Sequence, residues 1–298
     1  IVENGLKKKI FKKDKDENVI AKFKKLPDRV VLRADGTAIY VTNDLAYVKK
    51  VFKENKVNKF VYVVGGEQEL YFKQLFQIFK QLGFKYDVHH LNYGIVNLPE
   101  GRMKSREGTV VDADDLIMKM EDYATKEIKT RHDFLKQTNV EKRAEVIALA
   151  ALKYFMLNVG PKNNMIYNPR ASLSFTGNTG PYLLYTYARI SNILKKARSS
   201  KKSKINFSKI ESKTEHQIIV MLADFENILK KSLDNYDSSE LTKYLYNLAK
   251  TFSDFYRDVR VIDAEKEIRE TRLFFLNCVR EVLGKGLGIL GIESLEKM

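Results

Sequence analysis

Three cations stand between two glycines in the segment Gly101–Gly108, namely Arg102, Lys104 and Arg106. Guanidinium and ammonium groups on a flexible loop suit the binding of a triphosphate through charge-assisted hydrogen bonds. The alternative is a charged surface loop without a ligand. The pattern makes this loop a candidate phosphate site.

A second candidate lies in the string from Asp35 to Tyr47, whose pattern predicts a turn, a strand and then a helix. Asn43 or Asp44 would open that helix, and such side chains most often cap a helix N-terminus. Taken alone, the string indicates a capped helix and no particular chemistry.

The glycine pair Gly65-Gly66 follows the apolar run Phe60–Val64 and precedes Gln68. The run predicts a strand buried on both faces, and it ends at the carboxyl edge where open α/β sheets bind ligands. Glycines let the backbone approach a ligand, and Gln68 offers both a donor and an acceptor. The alternative is a tight strand-to-helix turn.

Tyrosines are concentrated in a glycine-rich entry into a predicted helix, in the string Ser174–Arg189. Tyr182, Tyr185 and Arg189 are three and four residues apart, so they share one helix face. Aromatic rings with an interleaved cation are what stacking on unpaired bases requires. Tyrosines at helical spacing also pack in cores, which is the commoner role.

The elements that would position these side chains differ between the two parts of the chain. Strands at 30–32, 39–41 and 60–64 alternate with helices near 43–56 and 67–82, which predicts a parallel sheet. Residues 1–29 carry lysine runs with few apolar side chains and predict a solvated hairpin or lid. We place this partial α/β domain at residues 1–125.

Residues 126–298 predict a bundle of α-helices. A helix capped by the run Asp112–Asp115 leads into this part, and an apolar stripe at helical spacing follows over 140–157. Further helical patterns occupy 181–197, 214–233, 239–258 and 263–283. The segment 198–204 lacks apolar residues and predicts a basic loop.

Composition limits the class of protein. The 298 residues carry 53 Lys and Arg against 38 Asp and Glu, a net charge of +15, which favours a polyanionic partner such as nucleic acid. An acidic membrane surface or solubility alone would satisfy the same charge. The sequence contains no apolar run near the roughly 18 residues that a membrane span needs. A single cysteine and four histidines give no Cys/His metal box, and they fit a reducing cytoplasm. The chain begins Ile1-Val2 without an initiator Met, so we expect it to start within a longer protein.

Taken in order, these strings resemble the arginyl-tRNA synthetases, a family of class I aminoacyl-tRNA synthetases. The resemblance extends from about Val30 to Met298 and includes the ending Leu-Gly-Ile-Glu…Met. It implies the C-terminal half of a Rossmann-like class I catalytic domain followed by an α-helical anticodon-binding bundle. It also implies ATP-dependent ligation of L-arginine to its tRNA through arginyl-adenylate, with Mg²⁺ accompanying ATP and no metal held by the protein itself.

The resemblance assigns roles to residues by position. The substrate arginine would be held by Tyr40, Asp44 and Gln68. ATP would be bound by Arg102, Met103, Lys104, Ser105 and Arg106, with Lys104 and Arg106 as the catalytic cations, because Ser105 replaces the second lysine of the Lys-Met-Ser-Lys-Ser signature. The tRNA would be contacted by Tyr182, Tyr185, Arg189, Tyr256 and Met298, with Arg189 serving the RNA backbone or the structure.

The second class I signature, His-Ile-Gly-His, does not occur in these 298 residues. We therefore interpret the chain as a fragment that lacks the first catalytic half and expect it to be inactive alone. A non-catalytic tRNA-binding paralogue or subunit is the alternative function. We expect a monomer that makes no membrane contact.

Overall fold

The computed structural model describes residues 1–97, 99, 112–131, 137–197 and 205–298. They form two compact units, Ile1–Ile95 and Val96–Met298. The boundary predicted at 125/126 lies inside a helix of the second unit.

The first unit opens with helix α1 (Val2–Lys7) and a three-stranded antiparallel sheet. Its strands are β1 (Phe11–Lys13), β2 (Val19–Ala21) and β3 (Arg29–Leu32), and β2 lies in the centre. The hairpin predicted for residues 1–29 is present, but it is not merely a solvated lid. Phe11 is 1% exposed and shares a core with later helices, so a few well-placed apolar side chains are enough to anchor a lysine-rich segment.

The parallel sheet predicted for this unit is confirmed for two strands, β4 (Lys59–Gly65) and β5 (Asp87–Tyr93), which pair in register along their whole length. Helix α3 (Glu69–Gln81) connects them after a 3₁₀ turn, and α2 (Tyr40–Glu54) precedes them. The prediction that strand 30–32 joins a parallel sheet is wrong, because β3 pairs antiparallel with β2.

The strand predicted at 39–41 is also wrong, because Tyr40 is the first residue of α2. Thr42 explains the early start of the helix. Its hydroxyl accepts the Ile39 N–H at 3.2 Å and donates to the carbonyl of Val31. This capping interaction outweighs the β-branched character of the sequence.

The second unit is helical, as predicted. Its short elements are the paired strands β6 (Val96–Asn97) and β7 (Met165–Ile166) and helix α6 (Pro169–Ser172). Its long helices are α4 (Ala113–Arg131), α5 (Gln137–Leu157), α7 (Gly180–Ala197), α8 (Lys213–Asn235), α9 (Ser239–Asp258) and α10 (Lys266–Ile289). In the described part of the chain, none of the helices is long and apolar enough to span a lipid bilayer.

A buried ion pair joins two of these helices. Glu215 of α8 is fully buried and accepts a hydrogen bond from Arg272 Nε of α10 at 2.7 Å. The Ser212 N–H donates to the second oxygen of Glu215 at 3.0 Å, so both carboxylate oxygens are satisfied. Removal of either charge would leave the other unpaired in a dry environment, which makes the pair a constraint on how α8 meets α10.

The contact between α5 and α7 depends on the absence of a side chain at Gly180. A Cβ there would meet the carbonyl oxygen of Ala150 and would lie 3.0 Å from Tyr154 Cβ. The start of α7 can approach α5 so closely only because the residue is glycine.

We expect Gly180→Ala to lower the free energy of unfolding by about 1 to 3 kcal/mol, since the methyl group overpacks a backbone contact. Gly288→Ala is the matched control, because a Cβ at this helical glycine of α10 meets nothing within 4 Å. The control should leave stability unchanged or raise it by less than about 1 kcal/mol. Urea unfolding followed by circular dichroism measures both, and equal stabilities of the two variants would contradict the packing argument.

Candidate functional site

Asp44 lies at the start of α2, where it contacts the start of α3. The Tyr71 hydroxyl of α3 donates a hydrogen bond to Asp44 Oδ2. Because α2 begins at Tyr40, Asp44 is the fifth residue of the helix and does not cap it. The capping alternative for Asp44 is therefore not what the structure shows.

Tyr71 is a member of this site that the sequence reasoning missed. Burial raises the pKa of the Tyr71 hydroxyl far above its usual range, and the hydrogen bond to Asp44 and its negative charge raise that pKa further. The hydroxyl therefore stays protonated and keeps donating at physiological pH. Its position three residues after Gln68, one helical turn on, was the available signal.

Arg29 contacts the ring of Tyr71 through a cation–π interaction. The guanidinium carbon of Arg29 lies 5.2 Å from the centroid of the Tyr71 ring, and Arg29 Nε donates to Gln74 Oε1 at 2.8 Å. Gln74 Nε2 in turn donates to the Pro27 carbonyl at 2.7 Å. The orientation of the Asp44 carboxylate is thus fixed by a chain of contacts that reaches β3.

The second oxygen of Asp44, Oδ1, accepts no hydrogen bond from the described residues. A carboxylate can accept about four hydrogen bonds, so one from Tyr71 leaves capacity for a two-pronged cationic partner. The site combines a fixed anion with an open acceptor.

Tyr40 and Gln68, the other two predicted arginine contacts, lie near this carboxylate in the chain and are solvent-accessible. Tyr40 is 86% exposed and stands one turn before Asp44 on the same face of α2. Gln68 is exposed and ends the 3₁₀ turn that follows the carboxyl end of β4. Neither side chain hydrogen-bonds to Asp44 among the described residues, and their role stays a prediction.

The predicted phosphate loop lies outside the described residues. This applies to Arg102, Met103, Lys104, Ser105 and Arg106, and likewise to the basic loop at 198–204. The residues that are described contain no group of three or more His, Cys, Asp or Glu side chains placed to hold a metal ion.

A separate cavity of about 250 Å³ opens on the helical unit. Four of the five predicted tRNA contacts line it, namely Tyr185, Arg189, Tyr256 and Met298. The guanidinium carbon of Arg189 lies 4.1 Å from the Tyr256 ring centroid and 5.9 Å from that of Tyr185. Because Tyr185 is 42% exposed, an aromatic ring backed by a cation faces solvent here.

Tyr182 shares the α7 face predicted from the spacing, but packing occupies it. Its hydroxyl lies 3.0 Å from Ser253 Oγ of α9, and its ring centroid lies 5.9 Å from that of Tyr246. The core alternative describes Tyr182, and its assignment as an RNA contact remains a prediction that this packing weakens.

Five further residues that line the cavity were not selected from the sequence: Ala188, Asn192, Ile193, Lys196 and Ile262. Lys196 lies seven residues after Arg189, two turns along the same face of α7, which is a signal that the sequence did contain. Ile262 comes from a loop and gave no periodic signal.

Comparison with known proteins finds a family match for most of the chain. Residues 1–168 match the family described as tRNA synthetases class I (R), catalytic domain, and residues 183–298 match the DALR anticodon binding domain. These matches confirm the predicted combination of a class I catalytic fold with a helical anticodon-binding domain.

Individual relatives belong to the same family as these matches. The arginine–tRNA ligase of Treponema denticola is 44% identical over 305 residues, covering 99% of this chain and 52% of that protein. The arginine–tRNA ligase of Parabacteroides distasonis is 39% identical over 308 residues, covering 100% of this chain and 51% of its own length. The chain therefore spans about half the length of the curated relatives it matches.

Solved structures share the fold. Thermus thermophilus arginyl-tRNA synthetase superposes with a TM-score of 0.85 at 23% identity, covering 100% of this chain and 58% of that one. The Plasmodium falciparum arginyl-tRNA synthetase superposes with a TM-score of 0.83 at 22% identity, covering 100% of this chain and 52% of that one. At these identities the likeness establishes the fold.

Proposed function

Because the chain belongs to the class I arginyl-tRNA synthetase family, we propose that it serves the ATP-dependent ligation of L-arginine to tRNA. The observation that carries this proposal is the Asp44 carboxylate, which Tyr71 holds at one oxygen and leaves open at the other. No comparable arrangement is needed by a protein that only binds RNA.

In this proposal Asp44 receives the guanidinium of the substrate. The planar fork of arginine matches a carboxylate, and charge-assisted bonds of this kind are about twice as strong as neutral ones. Tyr40 and Gln68 would complete the remaining hydrogen bonds with a phenol and an amide. Tyr71 acts through Asp44 and is a positioning residue.

The chemistry has two steps. The carboxylate of arginine attacks the α-phosphorus of ATP, forming arginyl-adenylate as pyrophosphate leaves, and a terminal ribose hydroxyl of tRNA then takes the arginyl group as AMP leaves. Catalysis of phosphoryl chemistry depends mainly on positioning and charge stabilisation. Lys104 and Arg106 would neutralise the charge of the leaving pyrophosphate. Mg²⁺ bound to ATP would add positive charge on the phosphates.

The cavity between α7 and α9 is the proposed anticodon site. Tyr185 and Tyr256 present rings for stacking, and Arg189 supplies a cation that is fixed against the Tyr256 ring. Stacking on aromatic rings contributes about 1 to 3 kcal/mol per base. We propose that this cavity supplies selectivity among RNAs, beyond the attraction due to net charge.

A non-catalytic tRNA-binding role is the second candidate. The absence of His-Ile-Gly-His from the 298 residues favours it. The polar chain from Arg29 through Tyr71 to Asp44 opposes it, since a helix start tied down in this way serves no purpose in RNA binding.

The 298-residue chain alone should show no arginine-dependent exchange of pyrophosphate into ATP, since part of the class I signature is absent. A chimera that joins the chain to the part of the Treponema denticola protein it does not match should restore exchange. Radiolabelled pyrophosphate incorporation measures both. Exchange by the chain alone would overturn the need for the second signature, and an inactive but folded chimera would favour the non-catalytic candidate.

In the active chimera, Asp44→Asn should raise the KM for arginine about 10- to 150-fold, since about 1.5 to 3 kcal/mol is lost with one charge-assisted hydrogen bond. Tyr71→Phe should raise it about 3- to 10-fold while the KM for ATP stays unchanged, because only the orientation of the carboxylate is released. Tyr47→Phe is the control, an exposed tyrosine of the same helix. An unchanged arginine KM in Asp44→Asn would remove Asp44 from the site.

Tyr185→Ala and Tyr256→Ala should each weaken binding of arginine tRNA relative to an unrelated tRNA by about 5- to 150-fold, the equivalent of one lost stacking interaction. Tyr182→Phe is the control. It should keep the preference between tRNAs while lowering the free energy of unfolding by about 1 kcal/mol through loss of its hydroxyl bond. Competition titration at near-physiological salt measures the ratio, and equal affinities of the wild type for both tRNAs would refute the anticodon assignment.

A further inference from the structure

The positive charge of the first unit is concentrated in its N-terminal sheet. Residues 1–33 contain eleven Lys and Arg against five Asp and Glu, a net of +6, whereas residues 34–95 contain eight against six, a net of +2. The arginine site proposed above takes Tyr40, Asp44, Gln68 and Tyr71 from the second of these segments and only Arg29 from the first, and it accounts for none of the lysines in the first.

A cavity of about 580 Å³ lies where this charge meets α3. We call it the lysine groove, and it is lined by Lys22–Leu26, the segment between β2 and β3, and by Gln77 and Gln81 of α3. Lys22, Lys24 and Lys25 are exposed, and none forms an ion pair with any described residue. Among the described residues, this lining contains three cations and no carboxylate.

The backbone under these lysines is fixed. Gln81 Nε2 donates to the Lys22 carbonyl at 2.9 Å, and Gln74 Nε2 donates to the Pro27 carbonyl at 2.7 Å. Gln74 is only 2% exposed, which is unusual for an amide side chain. Its hydrogen bond to the Pro27 carbonyl is therefore part of the core. Gln74, Gln77 and Gln81 form one stripe along α3 that faces the lysine segment.

The groove is distinct from the arginine site. Gln68 stands at the start of α3, and Gln77 and Gln81 follow it by nine and thirteen residues. At about 1.5 Å per residue, the two places lie about 14 to 20 Å apart along the helix axis. A ligand of the groove is therefore a different group from the amino acid or its adenylate.

We propose that the lysine groove binds the phosphodiester backbone of RNA. Lysine is a point charge on a flexible stem, which tolerates the varied spacing of successive phosphates, whereas recognition of a single anion favours the arginine fork that the lining lacks. The two amides add neutral donors and acceptors suited to ribose and phosphate oxygens. The choice of RNA over another polyanion rests on the proposed function, in which tRNA is the substrate.

Backbone contacts carry no sequence information, so the groove should attract any tRNA equally. This separates it from the cavity lined by Tyr185 and Tyr256, whose loss should change the preference between tRNAs. The two surfaces can therefore be tested in one protein without confusion.

The experiment measures the affinity of the 298-residue chain for a fluorescent arginine tRNA transcript and for an unrelated tRNA across a salt series. The groove variant is Lys22→Gln/Lys24→Gln/Lys25→Gln. The control variant, Lys49→Gln/Lys50→Gln/Lys53→Gln, removes the same charge from exposed positions of α2 in the same unit. Circular dichroism and the thermal midpoint establish that each variant is folded.

The groove variant should lose at least about tenfold in affinity at low salt for both tRNAs, and the slope of log K against log salt should fall by about 2 to 3, one unit for each lost phosphate contact. The control should lose less than about threefold, as expected for net charge alone. Equal losses in the two variants, or an unchanged salt slope in the groove variant, would overturn the proposal.

Two further results are informative. If the groove variant keeps its affinity for RNA and loses affinity for poly-L-glutamate, the groove takes an acidic peptide and the RNA proposal is wrong. If the wild type shows no preference for arginine tRNA, the proposed anticodon selectivity fails, while the comparison of salt slopes still decides the role of the groove.

Discussion

The hydrogen bond from Tyr71 to Asp44 is the interaction on which the first unit's proposed chemistry depends. It joins the starts of α2 and α3, and both helices bury their apolar faces in one core. A carboxylate in that position would otherwise be free to rotate, and a rotating acceptor costs entropy each time it binds a ligand. Arg29 holds the Tyr71 ring and is itself held by the buried Gln74, so the constraint extends to β3. Helix α3 therefore presents polar side chains, Tyr71 and Gln74 among them, along one face while its opposite face packs in the core.

In the helical unit, a glycine and a buried polar network fix the positions of the helices that form the cavity. Gly180 lets α7 approach α5 beside the Cβ of Tyr154. The hydroxyl at the other end of this Tyr154 side chain lies 2.9 Å from the Thr242 carbonyl of α9 and 2.5 Å from Asn178 Oδ1. Burial raises the pKa of Tyr154 above its usual range, so the hydroxyl remains a donor. Such contacts fix where α7 and α9 face each other, and the cavity with Arg189 opens along that same pair of helices.

Local patterns predicted much of this structure. Helices of the second unit follow the 3.6-residue period of their apolar side chains, and the continuous run at 60–64 is a strand of a parallel pair. The prediction that this strand is buried on both faces is wrong, because Val63 is 63% exposed and the rest of the run is only partly buried. The errors arose where a single tertiary contact overrode the local pattern. Thr42 starts α2 early, and Phe11 draws a lysine-rich hairpin into the core. Tyr71 was missed because its position one turn after Gln68 is only a weak local signal, and its role depends on a partner 27 positions away.

The specificity of the proposed arginine site follows from how the carboxylate is held. A lysine side chain would bring a single point charge to Asp44 and could not use both lone-pair directions in the plane that Tyr71 imposes. Citrulline has the right shape and no charge, so it would leave a fixed anion uncompensated, and sites built to hydrogen-bond a ligand reject analogues that leave their polar groups unpaired by about 10⁴- to 10⁵-fold. Orientation and charge thus exclude different competitors. Among the described residues, the hydrogen bond from Tyr71 supplies the orientation, because a carboxylate without it keeps its charge and loses its direction.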